Sequence, residues 1–286
     1  MSIVPERSRL VFQKLERDLL KLSSKLKPKN VHGFRTGTRR VQTLLEELAP
    51  DRTRNDKKLL NLLRRIRKRA GKVRDLDVQL SALRSLKIPQ EPRRKTLLLQ
   101  SLIELRAAHE KKLRKALTKE TTREVRKRLR RAAKDLNPET LGDPLTVAQQ
   151  MMTRVVRPQG PPTNEMLHQY RLAGKRARYA AEFAVKSPEV DQFITQLKRA
   201  QDALGDWHDW LMLTQSAAKR LGDVHPSPLV AELHNVSGAK FRHAAAALST
   251  TPVVRADSKR QGFQQARSRK QSTKTGASDV RISSAA

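Results

Sequence analysis

The chain has 286 residues, and its 61 Lys and Arg against 28 Asp and Glu give a formal net charge of +33. It has no cysteine, no apolar run near the roughly 18 residues that span a bilayer and no secretory signal, which excludes disulfides and thiolate metal sites and predicts a cytoplasmic protein. Because so large an excess of positive charge repels itself in a compact state, it indicates a polyanionic partner such as nucleic acid, polyphosphate or an anionic membrane.

Good helix formers dominate the sequence, and the alternation of β-branched residues that marks strands is nearly absent. Apolar residues recur at spacings of three and four, as Leu15, Leu19, Leu22 and Leu26 do, which is typical of amphipathic helices. We therefore expect an all-α fold. The pattern predicts helices over residues 6–27, 31–49, 55–86, 92–118, 121–136, 145–157, 165–186, 189–222 and 228–249.

The starts of four of these helices carry capping signals. Ser187 and Ser227 each precede a proline, which is typical of an N-cap followed by proline at the first helical position. Asn30 and Asn164 are the expected caps of the second and seventh helices. We therefore expect free backbone N–H groups and the positive end of the helix dipole close behind these two asparagines.

The organisation of the chain follows from its breaks. The segment 157–162, Arg-Pro-Gln-Gly-Pro-Pro, cannot be helical and lies near the middle. We expect one helical domain over 1–252, with halves at about 1–140 and 141–252. Beyond it, 253–286 has almost no periodicity and predicts a disordered basic tail. This tail holds eight Lys and Arg and two Asp, so +27 of the +33 lies elsewhere.

Two segments about half the chain apart share the pattern H-x-x-R-x-x-x-[RK]-R. They are 32–40, HGFRTGTRR, and 168–176, HQYRLAGKR. Each is followed on the next predicted helix by L-[RK]-R, a glycine and an Arg-Asp or His-Asp pair. In the first copy these include Gly71 and Arg74-Asp75, and in the second Gly205 and His208-Asp209. Basic residues placed twice at one spacing predict a built anion site.

Helical geometry places the basic residues of each copy on one face. At 100° per residue, His32, Arg35 and Arg39 lie together, opposite an apolar face that contains Phe34 and Val41. The second copy repeats this with His168, Arg171 and Lys175. Guanidinium groups match phosphate oxygens bidentately, and a lysine adds a mobile point charge. The residues therefore predict a phosphate-binding surface built twice, against the plainer interpretation of a solvated basic face.

The paired motifs resemble the CHAD domain, the conserved-histidine α-helical domain, over roughly 5–250. The resemblance implies two related antiparallel helical bundles, with an internal pseudo-two-fold repeat around a basic central cavity or groove. It also implies binding of inorganic polyphosphate and association with polyphosphate granules. The polyphosphate-binding candidates carried over are His32, Arg35, Arg39, Arg40, Arg65, Arg69, Lys72, His168, Arg171, Lys175, Arg176 and Arg199.

The second copy departs from the first on its following helix. The places of Lys68, Arg69 and Lys72 are taken there by Asp202, Ala203 and Asp206, which predicts an asymmetric site. No acidic E-x-E-x-K strand motif is present, so the triphosphate tunnel domain that some relatives carry is not expected.

The leading hypothesis is non-catalytic binding of inorganic polyphosphate, with no cofactor, no metal and no membrane partner. Asp75 and Asp209 are interpreted as structural acids that orient Arg or His. The alternative is nonspecific nucleic-acid binding, with weak binding through the tail. Against it, aromatic residues make up 3% of the chain, which leaves few platforms for base stacking.

Two further hypotheses involve the histidines. His32 or His168 could accept a phosphoryl group, but there is no Gly-rich P-loop and no acidic cluster for Mg²⁺, so we expect no enzyme. His32, His168 and His208 could also meet at a metal, although no H-x-x-x-H pair is present. The basic run 123–134 is expected to be an exposed helix face.

Overall fold

The computed structural model describes residues 5–155, 160–221 and 227–250, and every element of regular structure in them is helical. The prediction of an all-α fold is thereby confirmed. The predicted tail over 253–286 lies outside the described residues. The helices are α1 Pro5–Ser24, α2 Pro28–Thr43, α3 Arg54–Ser85, α4 Pro92–Arg114, α5 Lys119–Asp135, α6 Pro144–Thr153, α7 Asn164–Ala181, α8 Pro188–Leu221 and α9 Pro228–Thr250.

Two short elements supplement these helices. A π-helical turn, Leu44–Leu48, directly follows the last residue of α2, and a 3₁₀ turn, Pro138–Thr140, precedes α6. The leucines of the π turn, Leu44, Leu45 and Leu48, are all buried. The wider turn therefore lets the end of α2 keep its apolar side chains in the core.

The two predicted asparagine caps are wrong. Pro28 starts α2 two residues before Asn30, because proline is well suited to the first helical position. The side chain of Asn30 instead donates to the carbonyls of Lys21 at 3.1 Å and Lys25 at 2.8 Å, which closes the end of α1. Thr163 caps α7 by accepting from the Met166 amide at 3.2 Å. His32 and His168 therefore lie in the second turn, away from the free N–H groups.

The two predicted serine caps are confirmed. Ser187 Oγ accepts from the Val190 amide at 3.2 Å, at the start of α8. Ser227 Oγ accepts from the Val230 amide at 3.4 Å, at the start of α9. In both, the serine satisfies a backbone donor that the first turn leaves free.

The helices pack as two groups that share a core. Helices α1 to α5 contact one another, as do α6 to α9, and α2–α7 and α3–α8 contacts join the groups. One cluster of buried apolar side chains runs from Phe12 in α1 to Leu248 in α9. A smaller one, between Leu76 and Leu233, lies under the ends of α3, α4, α8 and α9. The core therefore extends across both groups.

The repeated motifs fall at matching places on their helices. His32 and His168 are both the fifth residue, of α2 and α7 respectively. Gly71 and Gly205 are both the eighteenth residue, of α3 and α8. The pseudo-two-fold relation between the two halves and the half boundaries at 140 and 141 stay predictions. None of the described helices combines the length and apolarity that a membrane span requires.

Candidate functional site

Basic side chains from both halves meet where α2, α3 and α7 come together. Beyond the effect of burial, the charges of Arg39 and Arg35 lower the pKa of both Arg171 and Lys175. The charge of Arg74 likewise lowers the pKa of Arg35, again after burial. We call these five residues, Arg35, Arg39, Arg74, Arg171 and Lys175, the central cluster.

Arg35 is held in place by α3. Its Nη1 donates to the carbonyl oxygen of Arg67 at 3.5 Å, and its Nη2 lies 3.9 Å from Asp75 Oδ1. The guanidinium lies directly over Gly71, where a Cβ atom would overlap its Nη1. The glycine and aspartate of the first motif thus provide space and a countercharge for Arg35. This contact supports the interpretation of Asp75 as an orienting acid.

Arg171 is half-buried, and its surroundings differ from those of Arg35. Its Nε is buried and has no hydrogen-bond partner in the described part of the chain. Burial lowers the pKa of Arg171, and the charge of Asp209 opposes that effect. Burial in turn raises the pKa of Asp209. Gly205, the counterpart of Gly71, lines the larger cleft, and no atom of the described residues outside its own stretch of helix lies within 4 Å of the place where a Cβ would stand.

Lys175 is the most strongly perturbed cation of the cluster. Burial lowers its pKa to about 7, assisted by the charges of Arg171, Arg39 and Arg35 and opposed by that of Asp209. Lysine in water has a pKa near 10.4, so this side chain gains or loses its charge close to neutral pH. An anion beside the ammonium group would favour the charged form.

Two clefts open from the cluster. Lys175 and His32 line one of about 650 Å³, together with Arg40, Arg178 and the acids Asp202, Asp206 and Asp209. Arg39 lines the other, of about 350 Å³, with Arg67 and Arg176. Tyr179 lines both clefts. The guanidinium carbons of Arg40 and Arg178 lie 5.7 and 4.9 Å from its ring centre.

The histidines of the motifs differ in their surroundings. His32 is exposed at the larger cleft, and partial burial followed by the charges of Arg74, Arg35, Lys175 and Arg40 lowers its pKa. His168 lies beside His208, with ring centres 5.5 Å apart. Burial and nearby cations lower the pKa of His208 to about 3, so this ring is neutral. No group of three or more His, Asp or Glu in the described ranges is placed to hold a metal ion.

The last arginine of each motif pairs with an acid of the other half. Arg40 of α2 donates from Nε to Glu182 at 2.7 Å, just after α7. Arg176 of α7 donates to Glu47, in the π turn that continues α2. These two reciprocal ion pairs join the ends of α2 and α7, so the charges of Arg40 and Arg176 are each compensated by a carboxylate at short range.

Four predicted residues lie away from the central cluster. Arg69 and Lys72 line a groove of about 430 Å³ with Lys68 of α3 and His109, Lys112 and Lys115 on or beside α4. Arg65 and Arg199 are exposed on α3 and α8 and line neither central cleft. The predicted set thus divides between the cluster, the two ion pairs, the groove, these two exposed arginines and the two histidines, of which His32 lines the larger cleft and His168 lies beside His208.

Arg67 and Arg74 were not among the predicted site residues. Burial lowers the pKa of Arg67 to about 10, with help from the charges of Arg39 and Arg35. Arg67, Gly71, Arg74 and Asp75 have the spacing of one helix face, which is a signal for the residues that contact α2. Because nearly every residue from 64 to 69 is basic, that signal is hidden in the sequence.

Comparison with known proteins agrees with this architecture. The structure is similar to that of the CHAD domain from the plant Ricinus communis, at a TM-score of 0.60 and 21% identity over 89% of this chain and 91% of that one. It is also similar to PptA from Streptomyces chartreusis, at a TM-score of 0.60 and 17% identity over 92% and 100% of the two chains. No curated protein matches the chain. A sequence profile of the CHAD domain matches residues 9–218, and the chain belongs to the CHAD domain family.

Proposed function

We propose that this protein binds inorganic polyphosphate without catalysing a reaction on it. The observation that carries the proposal is the central cluster, where five basic side chains from both halves meet. Two carboxylates, Asp75 and Asp209, interact with these side chains. The cluster therefore holds more positive than negative charge, and a polyanion would neutralise the excess.

The chemistry of the cluster suits phosphate oxygens. Four of its five members are arginines, whose planar guanidinium groups bind two oxygens at once. Asp75 provides a countercharge beside Arg35, while Arg171 Nε is buried and has no hydrogen-bond partner among the described residues. Lys175 contributes a charge that responds to the anion. A linear anion without bases needs only such donors.

Nucleic-acid binding is the second candidate. The exposed basic side chains of α5, such as Arg123 and Lys127, and the predicted tail favour it through nonspecific attraction to phosphates. The central clefts offer little to bases, because Tyr179, the aromatic residue lining both of them, is buried and is flanked by Arg40 and Arg178. We therefore expect nucleic acid to bind outside the central cluster.

A binding role rather than an enzymatic one is the better supported part of the proposal. CHAD domains are generally binding domains. The groups around the cluster are mostly cations, and the neutral His208 has its Nδ1 buried without a hydrogen-bond partner in the described residues. Phosphate released from polyphosphate by the purified protein, and abolished by His32→Ala, would contradict this part.

The proposal extends to the place of action. We infer that the protein works in the cytoplasm at polyphosphate granules, on the strength of its family. A fluorescent fusion that follows the granules in wild-type form, and spreads when Arg35 and Arg171 are replaced by alanine, is the expected result. A fusion that stays diffuse in cells rich in granules would contradict it.

The decisive experiment compares long-chain polyphosphate with RNA of equal charge at about 50 and 200 mM salt, because counterion release weakens all polyanion binding as salt rises. The Arg35→Ala/Arg171→Ala protein should lose polyphosphate affinity about 100-fold, from the loss of two charge-assisted contacts. The control, Arg123→Ala/Lys127→Ala, removes the same charge from the exposed face of α5. Equal losses in both proteins would indicate a generic basic surface.

The role of the tail needs its own comparison. A chain ending at Pro252 should keep its polyphosphate affinity and lose most of its RNA affinity, because the tail holds eight Lys and Arg. Loss of polyphosphate binding on truncation would indicate that the tail, rather than the central cluster, carries the binding site.

A further inference from the structure

The groove between α3 and α4 is lined by cationic side chains and one histidine. Lys68, Arg69 and Lys72 come from α3, and His109, Lys112 and Lys115 face them from α4 and the residue that follows it. The groove has a volume of about 430 Å³, and no carboxylate is among its lining residues. The five cations are exposed, while His109 is half-buried.

The same two helices do form acid–base pairs elsewhere. Arg106 donates to Asp77 at 2.6 Å and to Glu110 at 2.5 Å, and Glu110 also accepts from Arg114. In contrast, no ion pair joins a carboxylate to the groove lysines or to Arg69 within the described residues. The acids of α3 and α4 are thus placed to leave the groove uncompensated.

The groove is a property of the N-terminal half alone. In α8 the positions of Lys68, Arg69 and Lys72 are occupied by Asp202, Ala203 and Asp206. Asp206 pairs with Lys240 of α9 at 3.1 Å, so the corresponding helix pair carries a compensated contact. Packing of two antiparallel helices at this place therefore does not require a row of unpaired cations.

The groove and the central cluster lie on neighbouring faces of α3. At 100° per residue, Gly71, Arg74 and Asp75 centre on the face toward α2, whereas Lys68, Arg69 and Lys72 centre about 110° away. A helix with its side chains is about 10–12 Å across, so one flexible anion can pass from the cluster over α3 into the groove.

We propose that the groove is a second polyphosphate site, which holds a further segment of a chain already bound at the central cluster. This inference rests on the proposed function. Once one segment is bound, the second segment is present at the high effective concentration that a short tether gives. Chains long enough to reach both places should therefore bind at least tenfold more tightly than chains that reach one.

The first test neutralises the groove and measures chain-length preference. Lys68→Gln/Lys72→Gln/Lys112→Gln removes three exposed charges there, and Arg123→Gln/Lys127→Gln/Lys134→Gln removes three from the exposed face of α5. The groove protein should bind long-chain polyphosphate at least tenfold more weakly than the control protein. Its affinity for tripolyphosphate should change by less than threefold, because the central cluster is intact. Equal long-chain affinities would overturn the inference.

The second test uses His109 as a reporter inside the groove. Partial burial, followed by the charges of Lys112 and Lys72, lowers the pKa of His109 in the anion-free protein. A bound anion should raise that pKa, and the imidazole resonances should move when tripolyphosphate is added to the Arg35→Ala/Arg171→Ala protein. Resonances that do not move, or that move as far with charge-matched RNA, would overturn the assignment.

The two proposals fail in different ways. If the wild-type protein bound polyphosphate no more tightly than charge-matched RNA, both the proposed function and the inference about the groove would be refuted. A wild-type protein whose polyphosphate binding depends on Arg35 and Arg171, and whose groove variant equals its control, would refute the groove alone.

Discussion

In the N-terminal copy of the motif, Arg35 lies over Gly71 and is held by Asp75 and by the Arg67 carbonyl. In the C-terminal copy, Arg171 Nε has no hydrogen-bond partner among the described residues, and Gly205 lines the larger cleft. One half thus holds its guanidinium against the next helix, and the other leaves one buried guanidinium nitrogen unpaired within the described residues. A repeated sequence pattern can therefore place the same residue type in two different surroundings.

The largest contrast should come from the two glycines. Gly71→Ala would push the Arg35 guanidinium out of position and weaken polyphosphate binding about tenfold or more, whereas Gly205→Ala should change affinity less than twofold. Alanine is favoured over glycine in a helix by about 1 kcal/mol, so Gly205→Ala should also raise the free energy of unfolding. Binding titrations and thermal melts of both proteins check this. Equal effects on affinity would show that Arg35 is not fixed by Gly71.

Lys175 offers the next contrast, between binding and stability. Its pKa is about 7 in the folded protein and near 10.4 when unfolded, so the unfolded chain binds more protons between those values and the wild-type protein gains stability as pH rises through them. Lys175→Met should raise the melting temperature at pH 7 by several degrees and weaken polyphosphate binding about tenfold. A lower melting temperature would mean that the lysine stabilises the fold.

The prediction about pH has a defined sign. A bound polyanion favours charged Lys175, so binding takes up a proton where the free side chain is neutral, above pH 7. Affinity should fall by up to about tenfold per pH unit between pH 7 and 9, and Lys175→Arg should remove that slope. The pKa of His32 is lowered, so this side chain should become positively charged, and strengthen anion binding, only at a pH below the ordinary histidine pKa of about 6.5. Affinity that is constant from pH 5.5 to 9 would contradict both contacts.

The smallest effect should come from the reciprocal ion pairs. Glu47→Gln removes the partner of Arg176, whose side chain is largely exposed, and should cost under about 1 kcal/mol of unfolding free energy. Glu182→Gln should cost more, because Glu182 accepts from both Arg40 and Arg178. Denaturant unfolding curves distinguish the two. The reverse order would indicate that the Glu47 pair carries more of the contact between α2 and α7.

Most of the fold could be predicted, because amphipathic spacing marks the helices of this chain and prolines mark where several of them begin. The misses have local causes. The seventh helix was predicted to 186 but ends at Ala181. Phe183 and Ala184 are still buried in the core, so the apolar pattern continues past the end of the helix. The π turn after α2 has only five residues, and over so short a stretch its apolar spacing is the same as that of an α-helix. Sequence periodicity therefore does not reveal it.

Part of the central cluster could be predicted from the sequence. The motif spacing placed Arg35 and Arg39 on one helix face and Arg171 and Lys175 on another, and the structure brings these four side chains together. That they bind polyphosphate stays a prediction. It could not separate Arg67 from Arg69, since only the packing of α3 against α2 and α4 decides which of two neighbouring faces each side chain occupies. The pairing of Arg40 with Glu182 also depends on contacts between distant segments.

Tyr179 lines both clefts that open from the central cluster, so the basic side chains are approached from two sides. A pocket closed at one end measures its ligand, because the terminus of the anion must fit the bottom. A cluster that faces two openings, one at Lys175 and one at Arg39, sets no such limit, because an anion can extend from it through either cleft. If the proposed function holds, a single long anion could therefore bind several copies of this protein along its length, at intervals set by the size of the folded chain.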